Sequence, residues 1–146
     1  MKRASNQSSR GFTLIELVVV IAILGILAAF AIPRFVGLER EARVAATLGM
    51  SGSVRSAATL AHSMWLAQSV NPVFMEGNPI NLTNGYPDAT DIALTLADIT
   101  GFTVTVNATD DQAVFSKDGA GGNCEIAYND ALVNSAPIIG VDLSGC

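Results

Sequence analysis

The sequence predicts an α+β protein in which one long N-terminal α-helix packs on a small antiparallel β-sheet. Three observations lead there. An uncharged apolar run, LVVVIAILGILAAFAI at residues 17–32, passes into a stretch with helical periodicity. Several short segments nearer the C-terminus alternate apolar and polar residues as half-buried strands do. Between helix and strands, Asn, Pro, Gly and Asp cluster as they do in connecting loops.

Composition narrows the function classes. The chain has 146 residues, 50% of them hydrophobic and only 14% charged. Soluble domains carry about 25% charged residues, so part of this chain is expected in lipid or against other copies. Eight basic and thirteen acidic residues give a net charge of −5, which argues against nucleic acid as a partner. One His and two Cys exclude most zinc sites, and no segment fits a phosphate-binding loop or dinucleotide fingerprint. The expectation is a protein that is not an enzyme and needs no cofactor.

The first element is the apolar helix. Lys2, Arg3 and Arg10 precede it with no acid among them, and Glu16 is the only ionisable side chain from Phe12 to Ile32. As a helix, residues 12–32 span about 31 Å, close to the hydrocarbon thickness of a bilayer. The basic residues ahead of it place the N-terminus in the cytoplasm. Gly11 gives a flexible, unhindered junction before Phe12 that a protease can bind extended. Cleavage there leaves the apolar run in place, unlike a secretory signal. Glu16 is costly in hydrocarbon unless paired. The ammonium freed at Phe12 is the natural counter-ion, either one turn away in the same helix or on a neighbouring copy. A carboxylate resting at the headgroup boundary without a special role is the remaining reading.

Past Pro33 the helix turns amphipathic. Phe35, Leu38, Ala42, Ala45, Val54, Ala57, Ala61, Met64 and Trp65 form the apolar side, with Glu39, Arg40, Glu41 and Arg43 opposite. A helix from Phe12 to about Gln68 is near 85 Å long, more than so small a head can surround. Lipid or neighbouring helices are expected over its first half and the C-terminal domain over its second. Met64 and Trp65 read as core beneath the sheet. His62, with no Cys, Asp or Glu at helical ligand spacing, reads as packed or solvent-facing.

Residues 71–100 read as a long connecting loop, with a short helix over Asp91–Ile99 starting near Asp88 or Thr90. FTVTVN (102–107), AVFS (113–116), CEIAYN (124–129) and PIIGVD (137–142) read as strands. Asp110, Asp111 and Asp118 lie near Gly119, Gly121 and Gly122, but their spacing fits no EF-hand loop, and a solvated hairpin tip is the better reading. Cys124 and Cys146, both beyond the membrane segment on the exported side, are expected to form one disulfide. It closes a loop of roughly 20 residues, for which chain entropy gives about 3 kcal/mol.

The basic leader, Gly11 and the run FTLIELVVVIAILGILAAFAIP through Pro33 and Arg34 resemble the N-terminus of a type IV pilin precursor. The motif is shared with the pseudopilins of type II secretion. This resemblance implies the type IV pilin fold, divided into a cleaved leader (1–11), a transmembrane and filament-core helix (12–33), the amphipathic half-helix (34–68) and a globular head (69–146). It further implies cleavage between Gly11 and Phe12 by a membrane prepilin peptidase, with methylation of Phe12. Glu16 would pair with the Phe12 amine of an adjacent subunit. Gly25 and Pro33 match positions bracketing the part of the helix that loosens in filaments. By the same resemblance residues 124–146 are the disulfide-bounded region used in subunit contacts and surface recognition, with stabilisation of the head alone as the other reading.

The implied partners are further copies of the chain in a helical filament, the inner membrane before assembly, prepilin peptidase and the pilus assembly machinery. The implied end point is an extracellular pilus for surface adhesion and motility. The short leader suits the type IVa branch, and PRFVGLEREAR (33–43) and GYPDA (85–89) are most similar to MSHA-type pilins. A type II secretion pseudopilin is the alternative within the superfamily, and an uncleaved, membrane-anchored enzyme or binding protein the alternative outside it.

Overall fold

The computed structural model of the protein describes residues 11–107, 109 and 111–146, and at 32–36 the backbone alone. Residues 1–10 of the expected leader and Asp110 of the expected hairpin tip lie outside the described residues. The fold is α+β, a long N-terminal helix followed by antiparallel strands. Two compact units divide the chain, Met1–Leu38 and Glu39–Cys146.

Helix α1 covers Leu14–Gln68, 55 residues, and runs unbroken through Gly25 and Pro33. Ser69 ends it in the left-handed region (φ 53°), its N–H donating to the carbonyl of Trp65 at 2.7 Å, and Pro72 follows where a helix cannot continue. The interval 71–100 is not the long loop that its punctuation suggests. It folds into two hairpins and one 3₁₀ turn. Strands β1 (Val73–Met75) and β2 (Asn78–Ile80) meet through Glu76-Gly77, and β3 (Leu82–Thr83) and β4 (Tyr86–Pro87) through Asn84-Gly85. All four turn residues have φ between 48° and 86°, the primed-turn geometry that suits strand twist and favours a glycine at the second position. Strands of two or three residues are too short for alternation to show in the sequence.

The helix expected over Asp91–Ile99 is a single 3₁₀ turn, Ile92–Thr95. Its N-cap is Asp91, with no side-chain capping bond; Asp88 Oδ1 organises the turn just before it, accepting the N–H groups of Thr90 and Asp91 at 3.1 and 2.9 Å.

Four longer strands follow in the order β5 (Phe102–Asn107), β6 (Gln112–Lys117), β7 (Glu125–Asn129) and β8 (Ile138–Asp142), all antiparallel. Their inward residues Ala113, Phe115, Ile126 and Tyr128 pack with Val54 and Ala58 of α1 and with Ala89 and Ile92. A second cluster joins Ala61 to Val73, Met75, Ile80 and Leu82, with Met64 and Trp65 against it. Met64 and Trp65 therefore pack under the β1–β2 hairpin, not the main sheet.

The buried stripe of α1 is Thr47, Ser51, Val54, Ala57, Ala58 and Ala61, spaced three or four residues apart as one helix face requires, and Val54, Ala57 and Ala61 are the ones expected there. Leu38, Ala42 and Ala45, expected on the apolar side, are exposed. The buried place in this part of α1 falls instead to Thr47, which is cheap to bury because its hydroxyl donates to the Arg43 carbonyl at 2.9 Å.

Candidate assembly segment

The first turn of α1 is organised by two residues. Thr13 donates its backbone N–H and its hydroxyl to Oε2 of Glu16 at 2.9 and 2.7 Å, and the Glu16 N–H points back to the Thr13 hydroxyl at 3.3 Å. This is a reciprocal capping box, Thr-x-x-Glu, which satisfies amides that a helix start leaves unpaired. The Thr-x-x-Glu spacing of this box is visible in the sequence. No bond joins Glu16 to Phe12 here; the Phe12 nitrogen is in its peptide bond with Gly11, so no amine exists before cleavage. Both bonds from Thr13 go to Oε2, and among the described residues nothing engages Oε1.

Beyond this cap the helix is apolar on every side. Phe12 is 86% exposed, and the large apolar side chains from Leu14 to Phe30 are exposed as well. Leu14–Ala31 is long and apolar enough to cross a membrane by length and composition. A helix that is hydrophobic all round needs an apolar covering. Gly25 sits in this stretch with open space around the position of an added Cβ. The Pro33 side chain lies outside the described residues.

Cys124 and Cys146 are joined in a disulfide, as expected. Both are buried, and the bridge is fastened to α1: Thr47 Oγ1 lies 3.4 Å from Cys124 Sγ, and Arg43 donates to the Cys146 carbonyl at 3.3 Å. Gly145 is required at this closure, because a Cβ there would stand 1.5 Å from the Gly122 carbonyl oxygen. Within the bounded region Leu132, Val133 and Ile138 are exposed.

Asp130 is the electrostatic anomaly of the head. Burial raises its carboxyl above the usual carboxylate range, with the charges of Asp88 and Asp111 adding to the effect and hydrogen bonds from Ala89 and Thr83 opposing it. Its Oδ1 has no hydrogen-bond partner among the described residues. Burial, then the charges of Asp130 and Asp88, likewise raise the Tyr128 hydroxyl, which donates to the Pro87 carbonyl at 2.5 Å. His62 is packed, its ring stacked on Tyr86 and its Nδ1 bonded to the Gly85 carbonyl. Sequence reasoning missed Asp130, which becomes unusual only once the β7–β8 loop folds beside Asp88.

Residues 6–32 match the family model of the prokaryotic N-terminal methylation motif. The chain is 51% identical over 53 residues to a type IV narrow pilus major component of Thermus thermophilus, covering 36% of this chain and 46% of that protein. It is 43% identical over 63 residues to a type IV major pilin protein of Neisseria gonorrhoeae, covering 41% of this chain and 38% of the other. With a type IV major pilin protein of Myxococcus xanthus it shares 55% identity over 38 residues, 26% of this chain and 17% of that one. The chain thus spans less than half the length of the curated relatives it matches. No solved structure matches it. None of these three relatives is described as MSHA-type, so that finer likeness gains no support from them. The methylation motif and these relatives make the N-terminal part of the chain similar to type IV pilins, and a long N-terminal helix followed by antiparallel strands is consistent with that likeness.

Proposed function

We propose that the chain is the structural subunit of a type IV pilus. Residues 12–33 hold the precursor in the inner membrane with its N-terminus in the cytoplasm. Prepilin peptidase cleaves between Gly11 and Phe12, Phe12 is methylated, and the pilus assembly machinery passes the subunit into a helical filament for surface adhesion and motility. The carrying observation is a helix start that is apolar on all sides yet holds one carboxylate, Glu16, a turn beyond the expected cleavage point. Cleavage after Gly11 leaves the Thr13–Glu16 box intact and frees an ammonium on Phe12. Oε1 of Glu16 then offers that ammonium, from the adjacent subunit, an oriented acceptor.

Gly25 and Pro33 are the weak points through which this helix loosens on packing, since one lowers helix propensity and the other lacks an amide donor. The region bounded by Cys124 and Cys146, with its exposed Leu132, Val133 and Ile138, supplies subunit contacts and surface recognition. The relatives described above are pilus components, which supports a pilus over a type II secretion pseudopilus. Mass spectrometry of filaments sheared from cells tests the whole reading. The expected chain begins at methylated Phe12 and is two hydrogens lighter for the disulfide. Dispersed monomers that retain Met1 would overturn it.

A further inference from the structure

The main sheet ends on two edge strands, β5 and β8, and its ladder fixes which backbone groups they leave open. The Cys124 carbonyl accepts the Lys117 N–H at 2.9 Å and the Asp111 carbonyl the Asp130 N–H at 3.0 Å. By the alternation of an antiparallel ladder, Glu125, Ala127 and Asn129 of β7 then bond toward β8. Their partners there are Asp142, Gly140 and Ile138. Ile139 and Val141 therefore turn their N–H and C=O groups away from the sheet, and Arg55 Nη2 reaches the Ile139 carbonyl at 2.8 Å. On β5 the Gly101 carbonyl accepts the Asp118 N–H at 3.0 Å, so Val104 and Val106 point outward by the same alternation. Among the described residues, nothing engages the outward groups of Val104, Val106 and Val141 or the Ile139 N–H.

Such edges are templates for another strand, and proteins commonly blunt them with Lys, Pro or a bulge. Neither FTVTVN nor IIGVD contains Lys, Arg or Pro, and both pair without a bulge. The side chains at these edges are apolar and incompletely covered. Val104 and Val141 end one inward row through Phe115 and Ile126, and Val106 and Ile139 end the next through Ala113 and Tyr128. Val106 is 43% exposed and Val141 36%.

We propose that β8 of one copy pairs with β5 of the next, so that the sheet continues from head to head. This rests on the pilus reading and adds to it a specific contact between copies. Four antiparallel strands alternate in direction, so a second copy in the same orientation presents β5 antiparallel to β8. The contact is heterologous and repeats without closing, as a filament requires. One register joins both open pairs: Val141 beside Val104 of the neighbouring copy and Ile139 beside its Val106. The Ile139 carbonyl accepts there through the lone pair that Arg55 leaves free. That register also prolongs both apolar rows on the same face, whereas a one-residue slip would turn them to the opposite face. Two paired residues per strand are too few to hold heads together in water. The pairing therefore acts where the apolar helices already gather the copies.

The test uses sheared filaments and the full chain dispersed in detergent. In this register Gly140 faces Thr105 of the neighbouring copy at a non-hydrogen-bonded position, where side chains come closest. Within one chain the two lie three strand spacings apart, about 14 Å, too far for a disulfide. Filaments of the double variant Thr105→Cys, Gly140→Cys should run as a ladder of covalent multimers without reductant, and neither single variant should. In parent filaments the amides of Val104, Val106, Ile139 and Val141 should exchange at least about tenfold more slowly than in the dispersed chain. Equal exchange at these four amides, or slowing on β8 without β5 (a closed pair of β8 edges), overturns the proposal. So do double-variant filaments that give no ladder. If the double variant forms no filaments, exchange in the parent decides. Sheared filaments that lack this chain overturn the pilus reading and this inference together, whereas filaments of it without the slowing overturn this one alone.

Discussion

At the scale of single residues, Glu16 and Asp130 show two ways of keeping an awkward carboxylate. Glu16 is held by its own helix start through the Thr13 N–H and hydroxyl, an arrangement that orients it without using Oε1. Glu16→Ala should leave processing and membrane insertion intact while cutting filament yield about tenfold or more, the scale of one charge-assisted bond per subunit joined. Immunoblots of sheared filaments against whole cells measure it, and normal yield would remove the pairing role. Asp130 is raised above the usual range by burial and by neighbouring acids. The folded state therefore binds its proton more tightly than the unfolded chain does. Its contribution to stability is fully present below the unfolded-state value and is lost as pH rises through the higher folded-state value. Asp130→Asn, which mimics the protonated group, should melt higher than the parent near neutral pH. It should lose that advantage as the buffer is acidified into the carboxylate range, and thermal melts across that range decide it.

At the scale of elements, the β3–β4 hairpin links the turn chemistry of the sequence to the His62 and Trp65 rings of α1. Gly85 has φ 86° and its missing Cβ would lie 2.7 Å from the Trp65 ring. Gly85→Ala thus meets both a left-handed backbone and a packed indole, and should destabilise the head by about 1–3 kcal/mol, read from denaturant midpoints. Gly77, with φ 82° but open space around it, is the internal control. The main-sheet strands were legible in the sequence to within one residue because five or six residues suffice to show a period of two. The two hairpins were not, since their strands are too short for any period and a hairpin signal such as Asn84-Gly85 shares its residue types with loop punctuation. The buried face of α1 was legible at Val54, Ala57 and Ala61 but not over its preceding turns, where Ala42 and Ala45 are exposed and the buried place goes to Thr47, a polar residue whose hydroxyl is satisfied within the helix. The stacking of His62 on Tyr86 beside Gly85 was not legible, because the fold alone brings residues 62, 85 and 86 together and no local pattern connects them.

At the scale of the whole molecule, the division of the chain leaves the packed core in one stretch and the exposed apolar helix start in the other. Every residue of the two hydrophobic clusters lies in Glu39–Cys146, and so does the disulfide. The exposed apolar side chains from Phe12 to Phe30 contribute to neither cluster; in water they are a liability and in a bilayer or filament they are the adhesive. A chain beginning at Glu39 should therefore fold on its own, with the Cys124–Cys146 bridge formed and Trp65 still shielded, and should remain monomeric without detergent. The full chain should require detergent or lipid. Sedimentation velocity and Trp65 fluorescence on the shortened chain check both halves of this expectation. An unfolded head would mean that the apolar stretch supplies folding energy which its exposure gives no sign of. A head that associates strongly in water would mean that surfaces such as Leu132, Val133 and Ile138 drive assembly without the apolar helix, and would move the seat of polymerisation away from Phe12 and Glu16.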